Sequence, residues 1–516
     1  MHKIALFLAV LFLMACSSTK KIIDSPPTTP KIADAFEMQR KDINIVKSTV
    51  SQHEIKSHIQ FLASDELKGR DMPSPELKIA AEYLKTQMIF FGVDTIEGHG
   101  NYKQSVYLDN EKPPETGTLR IKNNTLNFGK EFIVVKGENG DMTAPTVFAK
   151  SGMGDDIASL DVRDKIVISY CGDGVDQSPQ AWFGMARGKR EALEAKGAKA
   201  VIEIYQSAKI PWSFLTRQLT KSQMKLGEAG EQVASIPHLW LSTQDSLVIN
   251  DLVSGGENMT LSIKGMKSEK IESYNVIGYV EGTDPVLKNE YIIYSAHYDH
   301  VGIGVPDATQ DSIYNGARDN AIGTAAVLTA AQNIAANPTK RSSLFILWTG
   351  EEKGLLGSAY FVDHSPVPLD KIAYCFNIDN GGYNDTSIVT VIGLTRTTVE
   401  PHMQTACNAF GLDAIEDPAK EQGLFDRSDN VNFAKKGVPA PTFSLGFRAF
   451  DQEIMKYYHQ AGDEIETVDL DYVTKYCKAF VLAGRLIADD PKKPFWNEGD
   501  KYYDVGKTLY GMGSSK

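Results

Sequence analysis

The 516-residue chain has few cysteines and no excess of positive charge. Its five cysteines form no CxxC pair, which excludes a disulfide-rich scaffold but leaves open one disulfide, such as Cys407 to Cys477. The 54 Lys and Arg residues are outnumbered by 66 Asp and Glu, and the net charge of -12 excludes the basic footprint of nucleic-acid-binding proteins. A hydrophobic content of 42% is ordinary for a folded globular protein, and the length allows two or three domains.

Long apolar runs are also scarce, and the one that stands out begins the chain as "MHKIALFLAVLFLMACSS". A basic start, a short apolar run and small residues before Cys16 predict an export signal over residues 1–15. The segment "LMAC" resembles the lipobox of bacterial lipoproteins. That resemblance implies lipid on Cys16 and, with Ser17 next to it, a place on the periplasmic face of an outer membrane. A plain secretory signal with an incidental cysteine is the alternative.

Changes in composition divide the rest of the chain. Residues 16–45 are rich in Ser, Thr, Pro and Lys and predict a flexible tether. The main domain is predicted over 46–109 and 269–500, where Val/Ile/Leu-rich strands alternate with amphipathic helices. This pattern predicts an α/β fold with a mixed, largely parallel sheet sandwiched between helices. The short alternating segments of 110–268, with "SLDVRDKIVISY" before "ALEAKGAKAVIEI", resemble the protease-associated domain, and residues 501–516 read as a polar C-terminal tail.

Two ionisable residues follow the strand in "YIIYSAHYDHVG". His297 and Asp299 are two apart, so the strand period of two places them on the same side. An imidazole there can bind a metal while a nearby carboxylate accepts its other N–H and orients the ring. His300 is expected to point the opposite way and to be structural or incidental.

Carboxylates follow other apolar segments in the same manner. Asp319 opens the helix of "RDNAIGTAAV", where a helix N-cap is its ordinary role. Glu351 and Glu352 follow the predicted strand "LFILW". Since successive side chains diverge, one can bind a metal while the other faces water or substrate. Asp379 ends the strand of "YCFNIDNGG", where a turn residue is the ordinary interpretation.

His459 lies in the polar segment "YYHQAGDE" and would be a surface residue if considered alone. Taken with His297, it completes a set of two histidines and several carboxylates, most of them at successive strand ends. Imidazole nitrogen and carboxylate oxygen are ligands that suit zinc. The sequence therefore predicts a metal site at the edge of the sheet.

The motifs "AHYDH", "NGARDNAIG", "TGEEKGLLGS" and "NIDN" together resemble the co-catalytic zinc exopeptidases related to bacterial leucyl aminopeptidases and glutamate carboxypeptidases. The resemblance covers about 51–487, the protease-associated insert included. It implies two Zn²⁺ ions per chain and a cis peptide after Asp319. The implied roles are one zinc on His297 and Asp379, the other on Glu352 and His459, Asp319 as the bridge, Glu351 as general base and Asp299 as the support of His297.

An aminopeptidase acting on peptides is the activity we expect from this resemblance. A carboxypeptidase can use the same core. Because Arg427 lies between Asp426 and Asp429, the sequence does not decide whether the enzyme recognises a free amino terminus or a free carboxyl terminus. The related glutaminyl cyclases use one zinc, which the intact His297 and Asp379 disfavour. From a different class, an inactive lipid-anchored binding protein on this fold would be expected to have lost ligands, and none is missing. We expect no nucleic-acid partner and no membrane contact beyond the lipid on Cys16, and the oligomeric state stays open.

Overall fold

The computed structural model describes residues 32–96, 100–173, 179–206, 211–227, 235–243 and 245–512. The predicted export signal and Cys16 lie outside these ranges. Within them, no helix combines the length and the hydropathy that a membrane span requires.

Helices and strands alternate along most of the described chain. The helices are α1 (Ile32–Thr49), α2 (Gln52–Leu62), α3 (Pro75–Phe90), α4 (Asp155–Ala158), α5 (Pro179–Ala195), α6 (Trp212–Leu219), α7 (Ser246–Ser254), α8 (Gly323–Ala336), α9 (Leu356–Asp363), α10 (Glu400–Asn408), α11 (Asn430–Lys435), α12 (Gln452–Met455), α13 (Leu470–Asp489) and α14 (Tyr503–Leu509). The strands are β1 (Lys103–Lys112), β2 (Thr116–Ile121), β3 (Asn124–Asn127), β4 (Phe132–Lys136), β5 (Gly140–Phe148), β6 (Ile166–Tyr170), β7 (Ala200–Ile204), β8 (Gln223–Leu226), β9 (His238–Leu241), β10 (Asn258–Lys264), β11 (Lys267–Val280), β12 (Tyr291–His297), β13 (Gly302–Ile303), β14 (Ile313–Tyr314), β15 (Ser342–Trp348), β16 (Ile372–Ile378), β17 (Ile388–Ile392), β18 (Asp413–Glu416) and β19 (Thr442–Leu445).

The larger sheet has the order β18-β17-β19-β16-β12-β15-β11-β1-β8 among the described residues. Its centre is parallel, because β12 pairs in parallel with both β15 and β16, and β16 continues in parallel to β19. Antiparallel strands flank this centre, as where β11 pairs with β15 and β1 with β11. The mixed α/β fold class predicted from the sequence is confirmed, and the parallel pairing is concentrated at the centre.

Both faces of this sheet are covered, so its central strands are apolar throughout. In β12, Ile292 and Tyr294 pack into the core shared with α8 and α13, whereas Ile293 packs into the core beneath α9 and α11 on the opposite face. The strand period of two produces this division, and it leaves the carboxyl ends of β12, β15 and β16 together at one edge.

The insert forms a second sheet with the order β3-β2-β10-β5-β6-β7-β9-β4. Strands β5, β6, β7 and β9 pair in parallel, and α5 lies between β6 and β7 in the chain. Strand β8 belongs to neither end of this sheet. It pairs antiparallel with β1, with Leu108 opposite Leu226, and so extends the larger sheet.

Two segments predicted to be peripheral are packed against the main domain. Residues 32–45 of the predicted tether belong to α1, where Asp42 accepts a 2.8 Å hydrogen bond from the buried Arg485 of α13. Within the predicted tail, α14 follows Tyr502, which packs with Trp496. The Pro-rich composition before α1 and the polar composition of the tail concealed these contacts. The disulfide left open between Cys407 and Cys477 is absent, and both are buried free thiols.

Candidate dinuclear metal centre

The edge formed by the ends of β12, β15 and β16 carries most of the predicted site. His297 is the last residue of β12, the Glu351–Glu352 pair begins three positions after the end of β15, and Asp379 directly follows β16. These strands are parallel neighbours, so their carboxyl ends meet at one place, where α/β proteins form their crevices.

Asp319 approaches this edge from the turn that precedes α8. The Asp319–Asn320 peptide is cis, as the resemblance implies. Asp463 holds the turn, because its carboxylate accepts the backbone N–H groups of Arg318 (3.0 Å) and Asp319 (3.2 Å). Asp463 also pairs with the buried guanidinium of Arg318 at 3.0 Å. Sequence reasoning missed Asp463, although it lies only four residues after His459.

The two oxygens of Asp319 face different partners. Oδ1 lies 3.2 Å from Nε2 of His297, and that same nitrogen is 3.4 Å from Oδ1 of Asp379. Oδ2 lies 3.1 Å from Nε2 of His459, which is also 3.2 Å from Oε1 of Glu352. Asp319 thus belongs to two separate groups of ligand atoms, each compact enough for one metal ion.

The charges of these groups fit a pair of cations. Burial and the charge of Asp319 act to raise the pKa of Glu352, but hydrogen bonds from His300 and His459 outweigh them and lower it to about 2. Burial lowers the pKa of His459, yet hydrogen bonds to Asp319 and Glu352 raise it to about 10. In the metal-free protein, protons on imidazole balance ionised carboxylates. Oδ1 of Asp319 is buried without a hydrogen bond of good geometry, which a cation would remedy.

Glu351 differs from its neighbour because it belongs to neither group of ligand atoms. It lines the cavity beside the centre. Burial raises its pKa well above the ordinary value, the charge of His297 opposes this, and the carboxylate of Asp379 adds to the rise. A carboxyl group with a raised pKa at the wall of a cleft has the properties of a general acid and base.

Asp299 contacts the chain at the ends of both β12 and β15. The predicted contact with His297 is made chiefly by the backbone, since Nδ1 of His297 lies 3.1 Å from the carbonyl oxygen of Asp299 and 3.9 Å from its Oδ1. The carboxylate instead accepts the backbone N–H groups of Glu351 (3.1 Å) and Glu352 (3.3 Å). Asp299 therefore fixes the glutamate pair relative to β12.

The expectation that His300 points away is wrong. Strand β12 ends at His297, so the alternation does not continue, and Nδ1 of His300 lies 3.0 Å from Oε1 of Glu352. A strand end displaced by one or two residues is enough to reverse such a prediction.

A cavity opens beside the centre. Both carboxylates and apolar side chains line it, and Arg427 is a cation on its wall. The apolar lining consists of Ile392, Leu424, Phe447, Phe450 and Ile454.

Residues 275–483 match the family model described as peptidase family M28. This domain of the chain belongs to peptidase family M28. The chain is similar to aminopeptidase YwaD of Bacillus subtilis, with 28% identity over 69% of this chain and 70% of that protein. It is also similar to a probable leucine aminopeptidase 2 of Aspergillus oryzae, with 25% identity over 86% of this chain and 88% of that protein.

A solved structure shows a similar fold. An aminopeptidase from Aneurinibacillus sp. strain AM-1 superposes with a TM-score of 0.56 at 21% identity, covering 88% of this chain and 97% of that one. The predictions of the family, the fold class and a metallopeptidase are confirmed. The donor set of imidazole and carboxylate likewise confirms the predicted zinc chemistry.

Proposed function

We propose that the chain is a dinuclear zinc aminopeptidase that removes N-terminal residues from peptides. The observation that carries this proposal is the placement of Asp319, whose two oxygens face two separate sets of ligand atoms. His297 and Asp379 complete one set, and Glu352 and His459, with His300 beside them, complete the other. When bound, two such cations polarise the scissile carbonyl and lower the pKa of an attacking water.

Glu351 is the proposed general base. It lies on the cavity wall and belongs to neither ligand set, so an Oε atom is free to take a proton from the attacking water and return it to the leaving amine. Such proton transfer contributes typically about 10² to 10⁴ in rate. The carboxylate of Asp299 positions Glu351 by accepting a hydrogen bond from the backbone N–H of Glu351.

Two features of the cavity favour a free amino terminus and an apolar terminal residue. The cavity wall carries several carboxyl groups that can accept hydrogen bonds from a substrate ammonium, and the apolar lining gives space for an aliphatic or aromatic side chain. The relatives named aminopeptidase and leucine aminopeptidase also support cleavage at the amino terminus.

A carboxypeptidase is the second candidate, because Arg427 lies on the same cavity wall. A guanidinium there could donate hydrogen bonds to the terminal carboxylate of a peptide. The test is a panel of Leu, Phe, Glu and Lys aminoacyl substrates beside N-blocked dipeptides, each run with and without a chelator. We expect chelator-sensitive hydrolysis of Leu and Phe substrates with a free amine. Cleavage of the N-blocked dipeptides alone would favour the carboxypeptidase, and no chelator-sensitive hydrolysis would favour the inactive binding protein.

We also propose that the protein is exported and anchored through lipid on Cys16, and that residues 110–268 are a protease-associated insert. The signal-like N-terminus supports the first proposal, and the parallel strands of the second sheet, with α5 between β6 and β7, support the second. Labelling cells with a palmitate analogue tests the anchor. We expect label on the wild type and none on Cys16→Ser, and equal labelling of both would contradict the anchor.

A further inference from the structure

His300 lies buried beside the ligand atoms of the candidate metal centre. It is fully buried, and its backbone N–H donates to the carbonyl oxygen of Arg70 at 3.2 Å. Its ring lies against the backbone at Gly316, where a Cβ atom would stand only 2.6 Å from Cδ2 of His300. Gly316 also has a φ of +61°, so two independent constraints favour glycine there. The position of the His300 ring is therefore fixed by packing.

One carboxylate oxygen lies between His300 and a predicted zinc ligand. Oε1 of Glu352 is 3.0 Å from Nδ1 of His300 and 3.2 Å from Nε2 of His459. Nδ1 of His300 is 3.9 Å from Oδ2 of Asp319. Distance alone therefore permits two roles for His300, as a further ligand of the second cation or as a hydrogen-bond donor to Glu352.

The other ring nitrogen distinguishes the two roles. A histidine that binds a metal usually donates its second N–H to an acceptor. His297 follows this pattern, since its Nδ1 lies 3.1 Å from the carbonyl oxygen of Asp299. Nε2 of His300 is buried and has no hydrogen-bond partner among the described residues. Metal on Nδ1 would leave a buried N–H unpaired, whereas a proton on Nδ1 leaves only a lone pair at Nε2.

We propose that His300 is a positioning residue that donates its Nδ1–H to Oε1 of Glu352 and fixes this carboxylate for the second zinc. This inference rests on the proposed dinuclear function. Under this proposal the ligands of that zinc are Asp319, Glu352 and His459. His300 is not a ligand and acts only through its hydrogen bond to Glu352.

Zinc affinity of the metal-free protein, measured by competition with a chelating dye, tests this proposal through two variants. His300→Leu removes the donor, and we expect one of the two zinc ions to bind about 10- to 100-fold more weakly while the other is unchanged. His300→Asn offers an amide N–H near the position of Nδ1, and we expect it to restore most of the affinity. Thermal unfolding of both variants establishes that they are folded.

Cobalt substitution of His300→Asn supplies a second readout, which stands even if His300→Leu fails to fold. We expect the visible absorption of its Co²⁺ form to match that of the wild type, because the ligands are unchanged. A wild-type zinc affinity in His300→Leu, or a strongly altered Co²⁺ spectrum in His300→Asn, would overturn the proposal. A wild type that binds fewer than two zinc ions would instead overturn the proposed function.

Discussion

The buried carboxylate of Asp299 accepts the backbone N–H of Glu351, with 3.1 Å between Oδ1 and the nitrogen. Its other oxygen accepts the N–H of Glu352 at 3.3 Å. One side chain at the end of β12 thus holds the segment after β15, and the proposed base and a proposed zinc ligand move together with it.

Asp299→Asn is expected to disturb this junction without changing its size. The amide nitrogen must face one of the two backbone N–H groups, so one hydrogen bond is lost and its buried donor is left unpaired. We expect a loss of about 1–3 kcal/mol in the free energy of unfolding, measured by urea denaturation, and a fall in kcat. Asp164→Asn, at an exposed aspartate of the insert, is the control. Equal stability and kcat in Asp299→Asn and the wild type would exclude this role for Asp299.

Glu351→Gln is expected to retain both zinc ions and to lower kcat by about 10² to 10⁴, because the amide cannot accept the proton. Steady-state kinetics and metal analysis on the same preparation measure the two effects.

Glu352→Gln is the matched control for this change, since it alters the adjacent residue in the same way. Oε1 of Glu352 lies beside His459, so this variant is expected to lose zinc together with activity. The assignment of the two glutamates would be reversed if Glu351→Gln lost zinc and Glu352→Gln kept it.

Asp463→Asn is expected to loosen the turn that presents Asp319. The change leaves the buried Arg318 guanidinium without its 3.0 Å carboxylate partner, and breaking such a buried pair costs roughly 3–5 kcal/mol. Thr467→Val removes a neutral 2.7 Å partner of the same guanidinium, and we expect it to cost only about 1 kcal/mol. Chemical denaturation compares the two, and a larger loss from Thr467→Val would contradict this account of Asp463.

The metal-free protein is expected to lose stability as the pH rises. Hydrogen bonds to carboxylates overcome the effect of burial and raise the pKa of His459 from 6.5 to about 10. Burial raises the pKa of Asp429 from 3.8 to about 7. A group whose pKa is higher in the folded state stabilises fully below its unfolded pKa, and this stability is lost as the pH passes its folded pKa.

Thermal unfolding of the metal-free protein between pH 6.5 and 10 measures the His459 part of this effect. We expect Tm to fall across the range, and to fall less in His459→Gln, which lacks the titrating group. A Tm of the metal-free wild type that is constant or rises over the same range would contradict the expectation.

Most residues of the site could be predicted from the sequence, because the end of an apolar strand can be recognised there. The apolar runs before His297, Glu351 and Asp379 become β12, β15 and β16, and the parallel pairing of these strands brings their ends together. Asp319 and His459 could be selected only by resemblance, since their loops have no periodicity.

The residues that were missed act through the backbone or through irregular turns. His300 was misplaced because the chain leaves the strand at His297, and Asp463 was overlooked because its partners are backbone N–H groups 144 and 145 positions away. The contact of α1 with α13 includes a buried ion pair, Asp42 with Arg485, whose partners are 443 positions apart in the sequence.

Zinc content of the wild type and of Asp319→Asn, measured by mass spectrometry of the dialysed proteins, tests the central claim most directly. Because Asp319 contributes one oxygen to each ligand set, we expect two zinc ions per wild-type chain and weakened binding of both in the variant. A wild type with a single zinc, or an Asp319→Asn protein that keeps two zinc ions and full activity, would contradict a centre bridged by Asp319.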